Sequence, residues 1–126
     1  MSTAEQAPQT LDEDVVADFA ALGSPDDDVL AELIDVSAED ATQQAEAIAD
    51  AADEARWGEA SRLAHGLKSA AAALGAMRVS GLCRDIEIGG REGGDAAALR
   101  QARALPREVG AAVDALRAFH AGAYAP

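Results

Sequence analysis

The sequence is poor in the residues that brace small secreted folds, build sheets or grip polyanions. It has a single cysteine, Cys83, so no internal disulfide can form, and a reducing, cytoplasmic setting is expected. Only four aromatic side chains and four prolines occur in 126 residues. A core of aromatic and β-branched strands is therefore excluded. There is one lysine, Lys68, and residues 1–55 contain no basic side chain at all. With a net charge of -13, the chain is a poor match for a nucleic-acid backbone or an anionic membrane surface. No run of 18 apolar residues is present, so no membrane span is expected, and residues 1–10 lack the basic start and apolar centre of a signal peptide.

What the chain has in quantity is alanine. Of its 49% hydrophobic residues, more than half are alanine, with 33 copies. Alanine leads the helix scale and lets helices approach closely, so the composition points to one all-α domain. The charge is also polarised. Residues 1–55 carry 16 acids and no base, whereas residues 56–126 carry 7 acids and all 10 bases. The acidic half either keeps a bundle soluble or steers a partner.

Five amphipathic segments follow from the periodicity. Asp12–Leu22 places Val15, Val16, Phe19 and Leu22 on one face, and Gly23-Ser24-Pro25 stops it. A long second helix starts near Asp26, whose neighbours Asp27 and Asp28 suit a helix N-terminus better than a metal site. It continues through Ile34, Ala41, Ala45, Ile48 and Ala52 to a turn at Asp53–Arg56. The third helix covers Trp57–Gly75. The fourth begins near Ala76 and buries Val79, Leu82, Cys83 and Ile86, with Gly89-Gly90 weakening its end and Gly93-Gly94 closing it. Asp95 is suited to cap the fifth, which Pro106 should kink or split. The expected architecture is an antiparallel four-helix bundle with an additional short N-terminal helix. Residues 1–10 and 123–126 are expected to be tails of a single domain spanning 11–122.

The third helix carries the chemistry. At about 100° per residue, Leu63, Leu67 and Leu74 project opposite His65 and should bury one face. The imidazole then points outward. Around it, within about 40°, fall Gly58, Ser61, Ser69, Ala72 and Ala76, all small, with Arg62 and Lys68 about 60° to either side. Neutral imidazole is a competent nucleophile near neutral pH, and small neighbours let another protein come close. A phosphoryl group on the ring would add negative charge that the two cations oppose. At an effective dielectric of about 20 such a contact is worth about 4 kcal/mol, reduced by exposure to about 1 kcal/mol. On spacing alone, however, an exposed histidine on a helix is ordinary surface. His120, near the C-terminus, has neither a small-residue face nor a nearby lysine. Cys83 falls on the apolar face without metal-spaced partners, and no glycine-rich stretch is followed by the Lys-Ser or Lys-Thr of a phosphate loop.

The segment Leu63–Ala76, with Ala64, His65, Leu67, Lys68 and Gly75, resembles the signature of histidine-containing phosphotransfer (HPt) domains. Downstream, Leu82-Cys83 and Glu87 are similar to the family's Leu-Cys pair and Glu. The likeness extends over roughly residues 12–120. It departs at Ser69, where the family usually has glycine; serine keeps the face small but could alter which partner fits. The resemblance implies a helical bundle that takes phosphate on His65 from a receiver-domain aspartate and passes it to another receiver. Lys68 would stabilise the phosphoryl charge, Gly75 would be structural, and Gly58, Ser61, Arg62, Ser69, Ala72 and Ala76 would form the docking face. It implies response-regulator receivers and a hybrid histidine kinase as partners of a monomeric chain. No cofactor or metal of its own is expected, magnesium being expected in the partner receiver. It is thus a phosphoryl carrier, not an enzyme in its own right. The alternative is a helical adaptor that docks a receiver or kinase without carrying phosphate.

Overall fold

The computed structural model describes residues 10–21 and 29–123. Five helices occur there in chain order: α1 (Glu13–Ala20), α2 (Val29–Asp53), α3 (Trp57–Ala73), α4 (Met77–Arg91) and α5 (Ala96–Ala123). No strand occurs among the described residues. Short turns join α2 to α3, α3 to α4 and α4 to α5, so neighbouring helices run antiparallel. α2, α3, α4 and α5 form a square in which each packs on the next and α5 closes back onto α2, while α1 leans on α5. The all-α four-helix bundle with a short extra N-terminal helix is therefore the fold of this chain. None of its described helices is long and apolar enough to cross a membrane.

The core is made of small side chains with a few large ones between them. Ala45, Ile48, Ala52, Ala64, Leu67, Cys83, Ile86, Ala102 and Leu105 are among its buried members. Alanine layers allow close helix approach, and the branched residues fill the remaining volume. At one end Val16 of α1 packs with Ile34, Leu116, Leu11 and Phe119 in a second cluster. Asp12 caps α1, accepting bonds from the backbone N–H of Asp14 at 3.1 Å and Val15 at 3.4 Å. As expected, Asp95 caps α5, accepting from the N–H of Ala98 at 2.8 Å.

Several expectations need correction. Pro106 does not split α5, which is one helix from Ala96 to Ala123. Leu105 and Val109, both buried, anchor the turns on either side of it, so packing outweighs the lost backbone bond. Gly89 and Gly90 lie in the last turn of α4, where they permit close contact, and the chain leaves the helix at Gly93-Gly94 as expected. A Cβ on Gly90 would stand 3.0 Å from the Trp57 carbonyl oxygen and 3.1 Å from Ser61 Cβ. Thr10 is not part of a tail, because its carbonyl accepts the N–H of Met77 at 3.0 Å and ties the chain to the α3–α4 turn. The helix α5 also includes Ala123. The expectations for residues 1–9, Leu22, Gly23-Ser24-Pro25, Asp26-Asp27-Asp28 and 124–126 lie outside the described residues, as do the side chains of Phe19 and Val29.

Candidate functional site

α3 determines where His65 points, and α4 determines what it meets. The buried residues of α3 are Ala60, Ser61, Ala64, Leu67 and Ala71. Leu63 and Leu74, placed on the buried stripe by their hydrophobicity, are only half-buried. The buried arc is thus centred on alanines and turned toward α4. Ser61 and Lys68 lie on the α4 side of His65, while Gly58, Arg62 and Ser69 lie on the other side and remain exposed. The imidazole itself is 63% exposed.

The candidate docking face is consequently narrower than the projection suggested. Gly58, Arg62, Ser69 and Ala72 are exposed. Ser61 is buried instead, its hydroxyl donating to the Glu87 carbonyl at 2.9 Å in the α3–α4 seam that Gly90 opens. Ala76 is buried in the core as well. The helix ends at Ala73, and Gly75 reverses the chain with φ 77°, so the projection no longer applies to Ala76. Gly75 has a clear structural reason: a Cβ there would meet the Asp12 carbonyl oxygen at 2.8 Å and Val16 at 3.2 Å.

The feature that spacing on α3 could not reveal is the place of Glu87. Its side chain is 4% exposed, yet it holds three cationic or protonated partners. Lys68 Nζ donates to Oε1 at 2.7 Å, His65 Nδ1 lies 2.8 Å from Oε2, and Arg91 donates to the same Oε2 at 2.5 Å. The Lys68 hydrogen bond holds the Glu87 carboxyl below the ordinary glutamate range. Burial opposes this, and the His65 bond and the charges of Lys68 and Arg91 reinforce it. An ionised carboxylate can only accept, so Nδ1 of His65 must carry the hydrogen in this contact. In the neutral ring the lone pair is then on Nε2, at the edge away from Glu87.

Lys68 therefore stands beside the imidazole as expected, but through Glu87. Arg62 does not join it; its guanidinium turns to Glu59 at 3.9 Å. Arg91 of α4 takes the place of the second cation. Its only signal in the sequence was its position four residues after Glu87, on the same helix face. Cys83 is fully buried nearby, and desolvation pushes its thiol up to about 12. Among the described residues, no group of three or more His, Cys, Asp or Glu side chains is placed to hold a metal ion.

An exposed imidazole, backed by a buried carboxylate and two cations, is chemically suited to carry an anionic group. A protein-family model described as "Hpt domain" matches residues 29–119, from the start of α2 to near the end of α5. No curated protein matches the chain, and no solved structure matches it.

Proposed function

The chain belongs to the Hpt domain family, whose members are phosphocarriers of two-component signalling, and on that premise we propose that it is a phosphorelay intermediate with His65 as phosphoacceptor. The observation that supports this is the pairing of an exposed imidazole with the buried Glu87 through Nδ1 at 2.8 Å. Nε2 is left as the attacking atom.

In the forward step the Nε2 lone pair attacks the phosphorus of a receiver's aspartyl phosphate in line. The Nε2–P bond forms as the P–O bond to the aspartate breaks, and that electron pair leaves on the carboxylate. The ring keeps its Nδ1 proton and becomes a phosphorylated imidazolium, whose positive charge faces the Glu87 carboxylate. Transfer onward reverses these bonds toward the aspartate of a second receiver. Lys68, one helical turn from His65, opposes the phosphoryl charge, and Arg91 adds a second cation. Magnesium would be supplied by the receiver. Positioning accounts for most of the catalysis, as in phosphoryl transfer generally. In this proposal the partners are receiver domains and a hybrid histidine kinase, and the chain acts as a cytoplasmic monomer in one domain. Gly58, Ser69 and Ala72 give the approaching receiver room on α3, with the exposed Arg62 beside them.

The test is incubation of the wild type and His65→Gln with phosphorylated receiver domains. Acid-labile, base-stable label on the wild type and none on the folded variant is the expected result. Label retained by His65→Gln refutes the assignment, and receiver binding without label on either chain identifies an adaptor instead.

A further inference from the structure

The cations around His65 are unequally engaged. Lys68 and Arg91 are both held by Glu87, at 2.7 Å and 2.5 Å, on the Nδ1 edge of the ring. Arg62 lies on the other side of His65, one helical turn before it, and is 71% exposed. Residues three apart on a helix have Cβ atoms about 5–6 Å from one another, and helical side chains lean toward the N-terminus. The imidazole therefore leans toward the turn that carries Arg62. With Nδ1 turned to Glu87 on the α4 side, Nε2 lies toward the side where Arg62 stands. Arg62 is also the most weakly held of the three cations. Its contact with Glu59 is 3.9 Å, too long for a hydrogen bond, and both side chains are exposed. Nor does Glu59 depend on it. The other oxygen of Glu59 is bound by Arg56, and Glu59 lies in the first turn of α3, where the helix end is positive. Arg56 also reaches Glu54 at 2.6 Å. Arg62 can leave Glu59 without stranding a charge.

We infer that Arg62 is a phosphoryl clamp: in the phosphorylated chain its guanidinium leaves Glu59 and forks onto two oxygens of the phosphoryl group on Nε2. The inference rests on the proposed function and adds an exchange of partners to it. The charge balance supports the exchange. A phosphoryl group brings nearly two negative charges, with oxygens spaced for the guanidinium fork, whereas Glu59 offers a carboxylate that Arg56 already shares. Lys68 and Arg91 oppose the phosphoryl charge from their places on Glu87. Neither can turn to the oxygens without leaving that carboxylate buried and short of a partner. Once the receiver departs, Arg62 is the cation beside His65 that can hold the phosphoryl group without breaking the Glu87 cluster.

The test is the equilibrium of phosphoryl exchange between this chain and a receiver domain, at concentrations where their complex is a minor species. That constant depends only on the free and phosphorylated forms of each protein, so a change in docking cannot move it. Arg62→Ala should shift it about fivefold toward the phosphorylated receiver, the fold-change of one well-made exposed charge pair. Arg62→Lys, which keeps the charge and loses the fork, should shift it less. Arg103→Ala removes an exposed arginine bound to Asp53 across the opposite α2–α5 seam, and should leave the constant unchanged. Phosphorylation of His65 with phosphoramidate gives a second readout that needs no receiver. By phosphorus NMR, the phosphoryl group of the wild type should release its last proton at a lower pH than that of Arg62→Ala. Equality of wild type and Arg62→Ala in either measurement refutes the clamp and leaves the phosphorelay function standing. An equal shift in Arg103→Ala also overturns it, since the effect would then be one of net charge. A wild type that takes no phosphoryl group on His65 from either donor refutes both.

Discussion

His65 and Glu87 are 22 residues apart, yet Nδ1 of the one lies 2.8 Å from Oε2 of the other. The contact fixes both the orientation of the ring and the nitrogen that carries its hydrogen. Glu87→Gln keeps the shape but loses the charge, and its amide can be either donor or acceptor. Transfer to His65 should fall by about tenfold, because a misoriented nucleophile forfeits part of the positioning effect. Nitrogen chemical shifts of the imidazole report the tautomer directly. The wild type should show hydrogen on Nδ1, and the variant a mixture. An unchanged tautomer together with an unchanged rate would remove Glu87 from the mechanism.

The same carboxylate makes stability depend on acid. Glu87 titrates below the ordinary glutamate range in the fold, with the Lys68 bond as the leading cause, whereas in the unfolded chain it is an ordinary glutamate. A depressed folded value contributes stability that is fully present above the unfolded pKa and is lost as pH falls toward the folded one. Denaturant midpoints should therefore fall more steeply for the wild type than for Glu87→Gln as pH drops below about 4.5. Parallel curves in that window would show that the ion cluster contributes nothing to folding.

Lys68→Ala removes the cation nearest the ring while leaving Glu87 with His65 and Arg91. The bundle should stay folded, losing about 1 kcal/mol. Phosphotransfer should slow, or the phosphohistidine should hydrolyse sooner, because less positive charge opposes the phosphoryl oxygens. Equal rates and equal lifetimes would contradict the role given to Lys68.

Two glycines of α3 and its turn should respond in opposite directions. Gly75→Ala places a Cβ at positive φ against the Asp12 carbonyl, and should destabilise the fold by about 2 kcal/mol. Gly66, next to His65, has nothing within 4 Å of a would-be Cβ. Gly66→Ala should stabilise the bundle by about 0.5–1 kcal/mol, the ordinary helix preference. Chemical denaturation of both variants decides the matter.

Cys83 should be inert. With its thiol pushed up to about 12 by burial, almost no thiolate exists at neutral pH. A thiol reagent should modify it only in denaturant, at the rate of unfolding. Rapid labelling of the native chain would mean that the α4 seam opens.

Most of the fold was already legible in residue order. Alanine abundance, the 3.6-residue period and the Asp95 cap located the helices, because these depend on local backbone preference and on the face a helix must bury. The outward direction of His65 followed from the same period. Burial of Ser61 and Ala76, the half-exposure of Leu63 and Leu74, and the passage of α5 through Pro106 did not follow, since each depends on which neighbour packs there. Glycine at position 90 lets α4 approach Ser61, and that approach turns the buried arc of α3 away from Leu63 and Leu74.

The sequence by itself determined that a histidine and a lysine would share one side of a helix, since a period of a single helix sets their relation. Only the tertiary structure decided what lies beneath them. Glu87 reaches His65 and Lys68 from another helix, through the depth at which α3 and α4 pack, and it binds Arg91 where Arg62 had been expected. A charge taken from water must find partners close by, and those partners are chosen by packing in space, which spacing along one helix does not encode.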